Sequence, residues 1–154
     1  MNKNREIFQK ISKDLMNNKV PMVDLHIHTN WTDGKHSVKE MYNEACKKKL
    51  NTILYSEHVR ATSFDWFVKF TGEIRSLKRK SCKALVGAES KILNYKGDID
   101  INDKVIKKCD LIMGSVHRFP GESGINNPSV IAKYSKKEAI EIEFELSLSA
   151  LKNS

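Results

Sequence analysis

Short apolar runs alternate along the chain with longer stretches in which apolar residues recur every three or four positions. Runs of roughly four to eight residues are typical of buried strands, and the wider spacing is typical of amphipathic helices. The pattern predicts strands over 21–26, 52–55, 84–89 and 110–116. It predicts helices over 3–17, 37–49, 64–80 and 102–108. Strands that alternate with helices indicate βαβ units, so we expect an α/β fold with a parallel sheet or barrel.

The segment nearest the C-terminus carries two conflicting patterns. Apolar residues alternate there with Glu and Ser, which is the period of a strand. However, Ser135 and Glu138 have the spacing of a capping box, which opens a helix. Ile140, Phe144 and Leu148 also repeat every four residues, and the stretch is longer than a typical strand. We therefore predict a helix here.

The composition bounds the class of protein. The 154 residues fit one domain, and 40% hydrophobic with 30% charged residues indicate a folded globular chain. The net charge of +8 suits a phosphate-bearing substrate or weak contact with nucleic acid. Three cysteines without close spacing argue against a disulfide framework or a cysteine-zinc site. Since no apolar run approaches ~20 residues and the N-terminus is polar, we expect a cytoplasmic protein with no membrane partner.

Chemistry-bearing side chains stand where the predicted strands end. His26 and His28 are two residues apart at the end of the first strand, so their imidazoles point to the same face. His58, Glu89 and His117 close the next three strands. The C-terminal ends of parallel strands meet at one edge, where the active sites of such folds lie. Imidazole and carboxylate ligands together favour zinc, manganese or iron, so the sequence predicts a metal site at this edge.

Four motifs resemble those of the PHP family, the polymerase and histidinol phosphatase domain. Residues 24–34, with the letters DLHIHTNWTDG, match the family's first motif, D-x-H-x-H-T-x-x-S/T-D-G, almost letter for letter. The other family motifs are T-D-H, a glycine shortly before a glutamate, and S-x-H; they correspond to 56–58, 87–89 and 115–117. Residues 111–117 are most similar to the histidinol-phosphatase branch. The resemblance covers roughly residues 20–150, and four motifs in order make it specific.

The resemblance implies a distorted (β/α)7 barrel that holds a cluster of two or three metal ions. The implied ligands are His26, His28, Asp33, His58, Glu89 and His117. His26, His28 and Glu89 would hold the first ion. Glu89 would also bind a second ion together with His117, and so bridge the two. Asp33 and His58 would hold a third ion. Asp24 would orient an imidazole through a hydrogen bond.

The family supplies three further ligands late in its sequence, a histidine and an Asp-x-His pair. This chain has no histidine after His117. We therefore expect residues 1–154 to be a single PHP domain that is incomplete at its C-terminus and forms the N-terminal portion of the barrel. A missing C-terminal half or a second chain would then complete the site. The alternative is an inactive module that binds only metal or a partner.

The activity implied by the resemblance is hydrolysis of a phosphate monoester, such as histidinol phosphate, by a metal-activated water. Arg60 and Arg118 closely follow ligands and are expected to clamp phosphate oxygens, unless Arg118 points to the opposite face of its strand. The expected catalytic residues are Asp33, Glu89, Arg60 and Arg118. An alternative is a nucleic-acid phosphoesterase or exonuclease, the role of such domains beside DNA polymerases, which the positive charge favours.

Overall fold

Four strands form one parallel sheet in the order β1-β2-β3-β4 in the computed structural model, which describes residues 3–78, 80–120 and 133–153. The strands are β1 (Val23–Ile27), β2 (Thr52–Val59), β3 (Lys83–Lys91) and β4 (Leu111–Ser115). The helices are α1 (Lys3–Met16), α2 (Val38–Lys47), α3 (Phe64–Arg75), α4 (Asp103–Ile106) and α5 (Lys136–Lys152). The alternation of strands and helices confirms the predicted α/β class, and the architecture is that of part of a (β/α) barrel.

The central strands β2 and β3 are buried along almost their whole length. Every residue of β2 is buried except His58, which is half-buried. Such strands are covered on both faces, which is why their sequences are nearly continuous apolar runs. β2 is longer than the predicted 52–55, because His58 pairs with Glu89 and Val59 with Ser90 across the sheet. Both proposed ligands therefore lie within paired strands and not in the loops that follow them.

β1 contains an irregularity that decides which way its side chains face. Asp24 pairs with Ile53 and Ile27 pairs with Tyr55, so β1 advances three residues while β2 advances two. This is a bulge of one extra residue. Because paired residues of neighbouring strands share a face, the bulge changes which alternate positions of β1 point to the helices. Beyond it, Ile27 faces the helices and His28 faces the opposite side of the sheet.

The larger apolar core lies between the sheet and helices α2 and α3. Its largest fully buried side chains include Ile53, Tyr55, Phe67, Phe70 and Val86. The tyrosine hydroxyls in this core are satisfied. That of Tyr55 donates to the carbonyl of Val38 and that of Tyr42 to the carbonyl of Cys82, both at 2.7 Å. Buried polar groups without such partners would destabilise the fold.

Helix α5 confirms the predicted capping box and helix near the C-terminus. The Ser135 side chain accepts from the backbone amide of Glu138, and the Glu138 side chain accepts from the amide of Ser135. One face of α5 packs through Leu146 against Ile92 and Phe119, forming a second, smaller core. The opposite face is exposed and carries Ile140, Phe144, Leu148 and Leu151.

Helix α3 is shorter than the predicted 64–80 and ends at Arg75. The hydroxyl of Ser76 donates to the carbonyl of Glu73 at 2.7 Å, and such side-chain bonds compete with continued helix. Among the described residues, no helix combines the length and the apolar character needed to cross a bilayer.

Candidate metal centre

Glu89 lies at the centre of a cluster of four histidines. Its side chain is only 5% exposed. Its Oε2 atom lies 3.2 Å from Nε2 of His26, 3.0 Å from Nε2 of His28 and 3.1 Å from Nδ1 of His58. Its Oε1 atom lies 3.1 Å from Nε2 of His117. The structure therefore brings five of the six predicted ligands together around one buried carboxylate.

The two histidines of β1 converge as their spacing predicts. The Nε2 atoms of His26 and His28 are 3.1 Å apart, so with Oε2 of Glu89 they form a triangle with edges of 3.0 to 3.2 Å. Zinc with nitrogen or oxygen ligands at about 2.0–2.1 Å has ligand atoms roughly 3.3 Å apart in tetrahedral geometry. The triangle thus has the dimensions of one face of a metal coordination shell.

The bulge in β1 is held by side chains that bond to its backbone. The carboxylate of Asp24 accepts from the backbone amide of His26 at 3.1 Å. The hydroxyl of Ser56 accepts from the amide of Ile27 at 3.1 Å. Asp24 thus bonds to the backbone of the first motif, and its bond to an imidazole stays a prediction. A bulge leaves an amide without its ladder partner, and Asp24 supplies the missing acceptor.

Asp33 is brought to the cluster by the loop that follows β1. Its Oδ1 atom lies 2.7 Å from Nδ1 of His28, and its Oδ2 atom lies 3.2 Å from Nε2 of His58. The loop closes where the amide of Gly34 donates to the carbonyl of Thr29 at 2.9 Å. A Cβ at Gly34 would lie 2.5 Å from the carbonyl oxygen of His28, so only glycine allows this close approach.

Glu57 supports the same loop from the opposite side of β2. It is fully buried and accepts from the backbone amide of Thr29 at 2.7 Å and from the Thr29 hydroxyl at 2.6 Å. The hydroxyl of Thr32 also donates to it. These bonds give Glu57 a structural role, because they fix the loop that carries Asp33.

The described residues form three groups that could each hold one ion, with all ligand atoms of a group within 4.8 Å of one another. The groups are His26/His28/Glu89, His28/Asp33/His58 and His58/Glu89/His117. The first is the set that the sequence implied. The second group contains the implied pair Asp33 and His58 and adds His28. The third contains the implied pair Glu89 and His117 and adds His58. Imidazole and carboxylate donors in these numbers fit zinc, manganese or iron, and the ligand roles remain a prediction.

The electrostatics favour ionised carboxylates at this site. A hydrogen bond from His28 is the main cause that lowers the pKa of Asp33, and the charges of His28 and His58 lower it further. Burial raises the pKa of Glu89, but hydrogen bonds from Ser115 and His26 act against it and the net pKa is lowered. Both groups are therefore in the deprotonated form that metal binding requires.

A pocket of about 750 Å³ opens beside the cluster. Its lining residues are His58, Val59, Arg60, Glu89, Lys91, Asp100, His117 and Arg118. Arg60 and Arg118 are both among these lining residues. The volume lies within the range of small-molecule sites, roughly 300–1,000 Å³.

A family model described as the PHP domain matches residues 24–151. The chain belongs to the PHP-domain family. The matched range contains every histidine, aspartate and glutamate of the cluster, and the family assigned from the four motifs is confirmed. PHP domains are generally metal-dependent, in keeping with the three donor groups.

Several proteins are similar to this PHP domain at low identity. A probable phosphatase of Thermoanaerobacter sp. (strain X514) is 27% identical over 127 residues, which are 79% of this chain and 52% of that protein. The DNA polymerase/3'-5' exonuclease PolX of Bacillus subtilis (strain 168) is 27% identical over 113 residues, 68% of this chain and 19% of that protein. A probable phosphatase of Proteus mirabilis (strain HI4320) is 29% identical over 99 residues, 62% of this chain and 40% of that protein. The chain spans about half the length of these relatives, or less.

Sequence reasoning missed the residues that support and surround the cluster. Ser115 bonds to Glu89, and Ser56 bonds to the β1 backbone. Lys91 and Asp100 line the pocket. Lys91 had a signal, because it stands two residues after Glu89 on a strand and so shares its face. Ser56 and Ser115 stand in the second and fourth motifs, but the motifs did not show what the serines bind. The partners of the serines and of Asp100 depend on tertiary contacts.

Proposed function

We propose that this PHP domain is a metal-dependent phosphoesterase that hydrolyses a phosphate monoester with a metal-activated water. The observation that carries the proposal is the position of Glu89, which lies within 3.2 Å of four imidazole nitrogens at the wall of an open pocket. Relatives described as probable phosphatases support the proposal. The similarity of residues 111–117 to the histidinol-phosphatase branch makes histidinol phosphate the first substrate to test.

The carboxylates of the cluster have different roles from the metal ions in such a reaction. Bound metal ions would supply an activated water and neutralise charge on the phosphoryl oxygens. Glu89 offers one oxygen to the histidines of β1 and the other to His117, which suits a bridging carboxylate. Asp33 offers its two oxygens to His28 and His58 in the same manner.

Arg60 and Arg118 are proposed to bind the phosphoryl group. Both line the pocket next to ligands of the cluster. A planar guanidinium can donate two parallel hydrogen bonds to phosphate oxygens, which fixes their orientation as well as their charge. The arginines would thus hold the ester against the metal centre while water attacks phosphorus.

The test measures metal content and phosphate release on the same protein. The full chain is dialysed with manganese, zinc and iron offered together and is analysed for bound metal per chain. Phosphate release from histidinol phosphate and p-nitrophenyl phosphate is then followed, with and without chelator. We expect bound ions, chelator-sensitive release, and loss of both in Glu89→Gln. Glu44→Gln, an exposed helix position outside the cluster, is the matched control.

Each alternative from the sequence has its own outcome in this test. Bound metal without release of phosphate from any ester would overturn the proposal and identify an inactive metal-binding module. Ions bound only by a dimer would show that a second copy contributes ligands. Ions bound by a monomer would show that the residues of one chain suffice.

A nucleic-acid phosphoesterase is the second candidate. The similarity to PolX and the net charge of +8 favour it. A protein of this kind would release nucleotides from the 3' end of an oligonucleotide, and its affinity for DNA would fall steeply with salt. Faster release from p-nitrophenyl phosphate than from any oligonucleotide, together with salt-independent binding, would exclude this candidate.

A further inference from the structure

A layer of positive charge lies above the proposed metal ligands. On β2, on β3 and after β4, a ligand is followed within two residues by a cation; the pairs are His58/Arg60, Glu89/Lys91 and His117/Arg118. Two residues of a strand advance about 6.6 Å and return to the same face. The Lys91 backbone therefore lies about 6.6 Å beyond that of Glu89, on the pocket side of β3. The pocket is therefore lined by the carboxylate and imidazoles of the cluster on one side and by these three cations on the other.

Lys91 is fixed in this wall by Asp100. Its side chain is 19% exposed, and its Nζ atom lies 4.0 Å from Oδ2 of Asp100. The amide of Asp100 donates to the carbonyl of Lys91 at 2.9 Å, and Oδ1 of Asp100 accepts from the amide of Ala61 at 3.1 Å. Asp100 thus connects Lys91 to the turn that carries Arg60. Lys91 is held in place and does not extend freely into solvent.

The charge of the pocket exceeds what one phosphate group needs. Apart from the proposed metal ligands, its charged lining residues are three cations and one carboxylate. The proposed mechanism assigns Arg60 and Arg118 to the phosphoryl group, which leaves Lys91 without an anion from the substrate. The volume of about 750 Å³ also holds far more than inorganic phosphate.

We propose that Lys91, positioned by Asp100, binds a second anionic group of the substrate, either a carboxylate or a further phosphate, and so selects small phosphate monoesters that carry one. The inference rests on the proposed phosphoesterase function, because that function places the reacting phosphate at the metal cluster. It predicts that histidinol phosphate, which has an amine but no second anionic group, is a poorer substrate than such an ester. Lys91 is a specificity residue in this scheme, and Asp100 is a positioning residue.

The experiment compares three-carbon probes that differ at one end only. They are glycerol 3-phosphate, 3-phosphoglycerate, in which a carboxylate replaces the hydroxymethyl group, and glycerol 1,3-bisphosphate, in which that hydroxyl carries a second phosphate. Dissociation constants for the manganese-loaded full chain are measured by calorimetry. We expect at least one of the two probes with a second anionic group to bind about tenfold more tightly than glycerol 3-phosphate. That is the gain expected for one hydrogen bond to a charged group. The preferred probe shows whether the second group is a carboxylate or a phosphate.

Variants assign the preference to Lys91. Lys91→Gln should abolish it and leave the affinity for glycerol 3-phosphate within about twofold, whereas Lys91→Arg should retain it. Lys83→Gln, an exposed position at the start of the same strand, is the control for loss of a lysine charge. Asp100→Asn should weaken the preference in part, which gives a second variant should Lys91→Gln fold poorly.

The outcomes separate this inference from the proposed function. A preference that depends on Lys91 in a protein that releases no phosphate would support the inference and contradict the function. Equal affinity for all probes, or no binding of any, would overturn the inference even if p-nitrophenyl phosphate is hydrolysed. Equal weakening of all probes in Lys91→Gln would also overturn it, because the lysine would then act on the reacting phosphate.

Discussion

The centre and the β4 edge of the sheet hold their proposed ligands by different means. His58 and Glu89 lie within β2 and β3, which have neighbours on both sides and the larger core behind them. His117 follows β4, a five-residue edge strand in which no residue is fully buried, and the smaller core around Leu146 supports it. Ligands on doubly paired strands keep their geometry before metal binds. We infer that His58 and Glu89, at the centre of the sheet, are preorganised and that the His117 side depends more on bound metal.

The largest expected effect tests the two cores directly. Phe70 is fully buried and its ring contacts those of Trp31, Tyr55, Trp66 and Phe67. Phe70→Ala should lower the free energy of unfolding by about 3–5 kcal/mol. Leu146→Ala should lower it by about 2–3 kcal/mol, because the smaller core can relax around the cavity. Urea unfolding of the metal-free chain measures both, and an equal or larger loss for Leu146→Ala would contradict the comparison.

The next effect concerns metal binding at the two sides. His28 belongs to two of the donor groups, and His117 belongs to one. His28→Ala should therefore lose more bound manganese than His117→Ala. The ions that His28→Ala retains should bind at least about tenfold more weakly, because even the loss of a residue that only supports a ligand lowers metal affinity by about that factor. Calorimetric titration with manganese measures both variants.

The control for this pair is His36→Ala, because His36 lies outside all three donor groups and is exposed. It should bind as many ions as the unmodified protein. A larger loss in His117→Ala than in His28→Ala would place the dominant ion at the edge of the sheet and reverse the comparison.

The smallest effect concerns the support of the loop that carries Asp33. Glu57→Gln keeps an acceptor for the Thr29 amide but weakens the bonds from the two threonine hydroxyls. We expect a loss of about 1 kcal/mol in the free energy of unfolding, measured with urea. Manganese affinity should fall only slightly. A loss as large as that of His28→Ala would mean that Glu57 acts on metal directly.

The fold and the centre of the site were predictable where local pattern carried the information. Period-two spacing placed His26 and His28 together, and strand position placed Glu89 and His117 at the same edge of the sheet. The capping box at Ser135 predicted α5 correctly although the apolar alternation indicated a strand. These signals are local, because backbone geometry alone converts spacing into direction.

The remainder depended on contacts between distant parts of the chain. The length of β2 is set by pairing with β3, which no pattern within 52–59 reveals. Asp24 bonds to a backbone amide that a bulge exposes. The bond that the Ala61 amide donates to Asp100 joins residues 39 apart in sequence. Such partners are chosen by tertiary packing.

The bulge in β1 makes the pairing of the first motif as important as its letters. If β1 kept an unbroken register from Asp24 beside Ile53, His26 would lie beside Tyr55 and Ile27 beside Ser56. That register would turn the imidazoles toward the helices and Ile27 toward the pocket. The extra residue therefore sets the direction in which the ligands point. In evolutionary terms it is an insertion, because one residue fewer between Asp24 and Ile27 would allow both pairs without a bulge.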